Sequence, residues 1–172
     1  MKNNNVVEIK NLSVKFKTDA GMVNAVRSVS FEIQKGETLG LVGESGCGKS
    51  VTAKSILKLH DRKNTIIDGS ILLEGRDITP AGEREMQKIR GEKASMIFQD
   101  PMTSLNPLIK VGEQVSEVLR FHRKMKKKEA RKRVYELFSS VGITSPETRY
   151  EQYPHEFSGG MLQRLMIVIS LA

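Results

Sequence analysis

Gly43-Glu44-Ser45-Gly46-Cys47-Gly48-Lys49-Ser50 decides how this chain is read. The stretch satisfies G-x-x-x-x-G-K-[ST], the phosphate-binding P-loop, at every fixed position. With average residue frequencies, a chance match somewhere in a chain this long has a probability of about 1%. The flanks strengthen the match. Ahead of the loop, Thr38-Leu39-Gly40-Leu41-Val42 is a short apolar run that predicts a buried strand. Behind it, Ala53, Ile56, Leu57 and His60 recur at helical spacing and predict an amphipathic helix.

Each residue type has a chemical reason to be there. Gly43, Gly46 and Gly48 permit turns that a Cβ would resist and let the backbone approach a ligand closely. The N–H groups of the loop and of the first helical turn, Ser45, Cys47 and Val51 included, are then aimed at an anion with the helix dipole behind them. Lys49 supplies a point charge for the β- and γ-phosphates, and the Ser50 hydroxyl is placed to ligate Mg²⁺. Cys47 reads as a small residue in a tight loop rather than as a redox centre.

Composition bounds the remaining possibilities. The chain has 172 residues, 38% of them hydrophobic and 28% charged, enough for a globular core. It contains no apolar run of 18 residues, and the polar start Met1-Lys2-Asn3-Asn4-Asn5 resembles no signal peptide. One cysteine permits no internal disulfide and no cysteine metal cluster. The formal net charge of +8 is concentrated in residues 120–133, which hold nine Lys or Arg against one Glu and leave the remainder neutral. That run reads as a solvated helix face, with contact to anionic lipid or to membrane subunits as the alternative.

The chain in order alternates in character. Val6, Ile9, Leu12, Val14 and Phe16 predict a strand, and Val23 through Ile33 a second, joined by a turn at Asp19-Ala20-Gly21. Asp68-Gly69 reads as a turn before a strand at residues 70–74, and Pro80-Ala81-Gly82 as the opening of a short helix. Ala94-Ser95-Met96-Ile97-Phe98 predicts another buried strand ending at Gln99. Two helical stripes follow, Val111/Val115/Val118/Leu119 and Ala130/Val134/Leu137/Phe138/Val141, the second stopped by Gly142. Residues 161–172 are apolar on nearly all sides, the pattern of a buried helix.

That last helix opens on Phe157-Ser158-Gly159-Gly160-Met161-Leu162-Gln163-Arg164. Ser158 is a good N-cap, and Gly159 and Gly160 leave the N–H groups of the first turn uncovered at the positive end of the dipole. A P-loop followed at this separation by such a stretch resembles the ATP-binding-cassette (ABC) ATPases, whose L-S-G-G-Q signature faces the ATP held by the P-loop of a second subunit. Gln99 then matches the Q-loop glutamine, which implies a catalytic and Mg²⁺-linked role. Phe16 matches the aromatic that stacks on adenine, and it is equally suited to the core of the hairpin. The resemblance narrows at residues 98–107, at Tyr153-Pro154-His155 and at Met161. There the chain is similar to the ATPases of oligopeptide, dipeptide and nickel importers. His155 has no metal-type neighbour and reads as structural.

The fold so implied is α/β: a P-loop NTPase core of the ABC type with an N-terminal antiparallel β subdomain and an inserted α-helical subdomain, the C-terminal part of the core being absent. It is expected as one incomplete domain, with residues 1–99 forming the β subdomain and core, and residues 100–172 the helical subdomain and signature helix. The family implies ATP and Mg²⁺ as ligands. It implies transmembrane permease subunits, a second ATPase subunit and, indirectly, an extracellular or periplasmic peptide-binding protein as partners, and it places the chain at the cytoplasmic face of the membrane. No nucleic acid is expected: a soluble cassette acting on DNA or RNA would use the basic run, where Phe121 is the lone stacking aromatic. A nucleotide kinase would not need Ser158-Gly159-Gly160.

The chain departs from the family at Phe157, a mild apolar change from the signature Leu, and in more consequential elements. The apolar strand ending in Asp-Glu, which supports Mg²⁺ and polarises the attacking water, has no counterpart in the sequence. The D-loop and switch histidine are missing too, since His60, His122 and His155 all stand in the wrong order to replace the latter. The 172 residues are therefore expected to bind nucleotide without turning it over.

Overall fold

The computed structural model describes residues 4–101 and 104–172. Readings that fall on residues 1–3, or on Met102 and Thr103 of the importer-like stretch, lie outside the described residues. The chain divides into two compact units, Met1–Gln87 and Lys88–Ala172.

In the first unit, β1 (Asn5–Thr18) and β2 (Gly21–Gln34) form the expected hairpin. Asp19 and Ala20 are its loop: Thr18 pairs with Gly21, and Thr18 Oγ1 donates to the Gly21 carbonyl at 2.8 Å. β3 (Thr65–Leu73) pairs with the other edge of β1, and β4 (Arg76–Asp77) pairs with β3, giving an antiparallel sheet of order β2-β1-β3-β4. Ile9 lies opposite Ile71, and Val14 opposite Val26, so these buried side chains share a face. Leu12, Ile78 and Met86 are buried as well.

The step from buried Ile9 to buried Leu12 breaks the period of two, and a bulge explains it. Asn11 adopts φ 51°, and the pairing of β1 shifts register there against both neighbours. The N–H groups released are taken by serines: Asn11 donates to Ser30 Oγ at 2.8 Å, and Ser28 donates to Ser13 Oγ at 2.9 Å. This bulge also corrects the turn expected at Asp68-Gly69. Both residues lie inside β3, and Gly69, at φ 94°, is needed because a Cβ there would sit 2.5 Å from the carbonyl oxygens of Lys10 and Asn11.

Two expected strands are not strands. Residues 38–42 and 94–98 have no ladder partner among the described residues apart from one isolated bridge, Arg90 to Ala94. A central strand is held by hydrogen bonds along both edges, and apolar character alone does not supply them. Leu39, Leu41 and Ile97 are consequently exposed, and Val42 is 93% exposed.

The helix after the P-loop, α1, spans Lys49–Ile56. Of its expected apolar stripe, Leu57 is buried and Ala53 and Ile56 are half-buried. The helix positions that are fully buried are Thr52 and Ser55, whose hydroxyls donate to the carbonyls of Gly48 (3.0 Å) and Val51 (2.8 Å). A short helix, α2 (Glu83–Ile89), crosses the division between the units.

The second unit is helical: α3 (Val111–His122), α4 (Lys127–Ser140), α5 (Pro146–Tyr150), a single 3-10 turn (Pro154–Glu156) and α6 (Gly159–Leu171). The predicted stripes of α3 and α4 form its core, with Val111, Val115, Leu119, Ala130, Val134 and Phe138 all but inaccessible. Gly142, at φ 74°, ends α4 as a Schellman cap, with Ile143 N–H on the Phe138 carbonyl at 2.9 Å and Gly142 N–H on that of Ser139 at 3.0 Å. Arg164 of α6 then donates to the Val141 and Gly142 carbonyls. Leu162, Leu165, Met166 and Val168 bury one side of α6, while Ile167 and Leu171 are exposed.

Candidate functional site: a phosphate-binding loop

The P-loop takes the backbone its glycines predict. Gly46 and Gly48 lie at φ 82° and φ 94°, and Gly48 is the left-handed N-cap of α1. A Cβ on Gly48 would sit 2.5 Å from the Ala25 carbonyl oxygen, so the loop is seated directly on β2. No side chain among the described residues caps α1. The N–H groups of Gly46, Gly48, Lys49, Ser50 and Val51 have no hydrogen-bond partner among the described residues. Five free donors around the positive end of one helix fit a polyphosphate.

Lys49 points into the loop it serves. Its Nζ donates to the carbonyls of Gly43 at 2.8 Å and Glu44 at 2.6 Å, and lies 3.5 Å from Cys47 Sγ. The ammonium is thereby held half-buried within the loop. Ser45 and Ser50 are exposed, and the Ser50 hydroxyl is bonded to nothing among the described residues, as a hydroxyl meant for a cation requires. Those residues include no cluster of three or more His, Cys, Asp or Glu side chains fit to hold a metal. Cys47 is a free, exposed thiol.

Beside the loop lies a cleft of about 490 Å³ lined by Asn24–Arg27 and Val29 of β2 and by Leu41, Val42, residues 46–49 and Thr52. Phe16 is not part of that lining. It sits on β1, half-buried, with its ring edge-on to His60 at a centroid distance of 5.4 Å. His60 is the residue that the sequence undervalued. It was expected as one more member of the α1 stripe, but the chain reverses at Lys58 (φ 50°), and His60 Nε2 comes to lie 3.1 Å from the Val51 carbonyl and 3.0 Å from Ser55 Oγ. Burial, with some help from Lys54, lowers its pKa below the ordinary imidazole value, against the opposing effect of the Val51 hydrogen bond. A left-handed lysine after a helix carries no sequence signature, so this contact was not legible.

The remaining candidates belong to the second unit. Gln99 is exposed in an irregular stretch. Ser158 caps α6, its Oγ accepting from the Met161 N–H at 3.4 Å. Gly159 and Gly160 are exposed, and a Cβ on either would meet nothing within 4 Å. Buried Phe157, with the Arg149 guanidinium 5.9 Å above its ring, anchors the stretch. The surface presented by Ser158-Gly159-Gly160 is thus open backbone at a helix N-terminus.

A glycine-built phosphate loop opening a helix beside an antiparallel sheet, with a serine-capped glycine helix further along the chain, defines an ATP-binding cassette. The ABC transporter family model matches residues 26–172, and the chain belongs to that family. It is 54% identical over 168 residues to the oligopeptide transport ATP-binding protein OppD of Bacillus subtilis, covering 97% of this chain and 47% of the relative. It is 51% identical, again over 168 residues, to the dipeptide transport ATP-binding protein DppD of Lactococcus lactis, covering 97% of this chain and 48% of that one. The chain spans about half the length of the curated relatives it matches. Among solved structures, the dimeric bacterial ABC transporter cassette MJ0796 superposes with a TM-score of 0.84 at 27% identity, covering 96% of this chain and 69% of that one. The same cassette in a post-hydrolysis state bound to ADP and Pi gives 0.84 at 28% identity, with the same coverage. The fold is that of the ABC ATPase cassette.

Proposed function

We propose that this chain is the nucleotide-binding part of the energy-coupling subunit of an ABC importer for peptides or a related substrate such as nickel. The observation that carries the reading is the set of unpartnered loop and first-turn N–H groups gathered around the Lys49 ammonium. The names of the similar proteins, which are peptide-transport ATP-binding proteins, support the substrate class.

In this reading ATP supplies the phosphoanhydride, Mg²⁺ supplies positive charge at its terminal oxygens, and the residues of the chain bind and orient. Gly43, Ser45, Gly46, Cys47, Gly48 and Val51 line the phosphates with backbone, Lys49 neutralises the terminal groups, and Ser50 faces the cation. Gln99 takes the catalytic and Mg²⁺-linked role that the family resemblance implies, and Phe16 stacks on the adenine. Ser158, Gly159 and Gly160 present their helix N-terminus to the nucleotide of a second ATPase subunit. The γ-phosphate then favours the closed dimer by contacts it makes only there. Transmembrane permeases would receive that closure at the cytoplasmic face of the membrane, with a peptide-binding protein delivering cargo on the other side.

The test is Lys49→Ala in the complete gene product. ATP turnover should vanish and nucleotide affinity should fall about 10- to 100-fold, the worth of a charge-assisted hydrogen-bond set. Turnover at the wild-type rate in that variant would refute the assignment.

A further inference from the structure

We propose that His60 is a positioning residue of the nucleotide site, coupling the adenine platform Phe16 to the P-loop helix. The inference rests on the reading of Phe16 given above and extends it to a residue outside the P-loop motif.

The geometry has two halves. On one side the imidazole meets the Phe16 ring in a T-shaped contact, with centroids 5.4 Å apart and planes 75° apart. Such an edge-to-face pair fixes the tilt of an aromatic ring, because the positive edge of one seeks the negative face of the other. On the other side His60 Nε2 reaches the carbonyl of Val51, in the first turn of α1, and the hydroxyl of Ser55, one turn later. A carbonyl only accepts, so Nε2 carries the proton and donates. Ser55 Oγ spends its own proton on the same Val51 carbonyl at 2.8 Å, and so it accepts from Nε2. Ser55 is fully buried, and its hydroxyl is therefore a fixed partner.

The two halves share one rigid ring. A shift of α1 moves the Val51 carbonyl, hence the imidazole, hence the face that Phe16 offers. In the site as read, Val51 is part of the phosphate cradle and Phe16 is the base platform. His60 therefore sets the distance and tilt between the place that holds the phosphates and the place that holds the base. The ring contact with His60 is what joins Phe16 to α1. Preorganisation of this kind raises affinity only for a ligand that uses both places.

That condition provides the test. Binding of ATP and of inorganic tripolyphosphate would be measured, in the complete gene product, for wild type, Phe16→Ala, His60→Leu, His60→Gln and the double variant Phe16→Ala/His60→Leu. Phe16→Ala should weaken ATP about tenfold, as expected for loss of a stacking base, and leave tripolyphosphate unchanged. His60→Leu should weaken ATP about fivefold, leave tripolyphosphate within about twofold, and add nothing in the Phe16→Ala background, since residues acting as a unit are non-additive. His60→Gln retains a donor for Val51 and so protects the fold if leucine does not. It lacks the ring and should show the same loss confined to ATP.

Unchanged ATP affinity in both His60 variants would overturn the proposal. So would equal losses of ATP and tripolyphosphate, or full additivity with Phe16→Ala. If Phe16→Ala itself leaves ATP binding intact, the platform reading falls and the proposal with it. If wild type binds neither ligand, the P-loop reading falls.

Discussion

Gly48 and His60 each carry a prediction that turns on a single atom, the Cβ that Gly48 lacks and the Nε2 of His60. Gly48 combines a left-handed backbone with a carbonyl 2.5 Å from its missing Cβ. Gly48→Ala pays the left-handed cost of about 1–2 kcal/mol and must also push the loop off the rigid backbone of Ala25. Both stability and nucleotide affinity should fall, measurable as a lower urea midpoint and a raised Kd for ATP. Gly46→Ala is the control: it shares the left-handed strain but meets nothing within 4 Å, so it should cost less stability. His60 gives a pH dependence. Its folded-state pKa lies below the unfolded value of 6.5, because burial disfavours the imidazolium. As pH falls below 6.5 the unfolded chain binds the proton first, so stability present above that pH declines until the folded pKa is passed and then levels off. His60→Gln should flatten the plot of urea midpoint against pH between 5 and 7. An equally steep plot in that variant would assign the slope to other groups. The residues of the P-loop were legible because the motif specifies them one by one. His60 was not, because its contacts depend on a reversal at Lys58 that is a property of three-dimensional packing.

At the scale of elements, α3 and α4 read correctly from sequence because each buries its own stripe against the other within one helical unit. The segments at residues 38–42 and 94–98 did not, because strand formation needs hydrogen-bonding neighbours that a local apolar run does not bring with it. Asp68-Gly69 failed for a related reason: the same dipeptide serves a turn or a bulge, and the carbonyls of Lys10 and Asn11 choose between them. The helical unit also separates a tight contact from a loose one. Gly112 of α3 lies under Tyr150, where an added Cβ would overlap the ring, and the ring is held by hydrogen bonds of its hydroxyl with Ser116 and Glu113, each 2.9 Å. Gly112→Ala should therefore destabilise by at least the 1–3 kcal/mol typical of overpacking, about that much or more. By contrast Lys126, Lys127 and Lys128 are exposed at the start of α4. Replacing all three by Gln should shift stability by less than about 0.5 kcal/mol per site. Denaturant unfolding of both variants compares them, and a large loss from the lysine triple variant would show that the basic run is not the solvated face described.

For the molecule as a whole, the question is what the polypeptide of residues 1–172 does when purified by itself. The first unit exposes Leu39, Leu41 and Val42, and the second exposes Ile97, Phe98, Ile167 and Leu171, the last at 57%. Fully burying side chains of this kind is worth about 1.5–3 kcal/mol each, so leaving several uncovered forfeits an amount comparable with the whole margin of a domain, about 5–15 kcal/mol. The same surfaces favour self-association. The chemistry points the same way as the packing. The loop offers donors, Lys49 and Ser50 for a polyphosphate, but water attack also needs a positioned carboxylate, and the sequence contains no apolar strand ending in Asp-Glu to supply one. The expected outcome is a protein that binds ATP or tripolyphosphate weakly, releases no phosphate above background, and elutes as concentration-dependent oligomers that bind a hydrophobic dye. Size-exclusion chromatography with light scattering, alongside a phosphate-release assay, tests each part. Steady turnover abolished by Lys49→Ala, from a cooperatively unfolding monomer, would mean that a carboxylate among these residues activates the water and that the exposed apolar segments are accommodated without a partner.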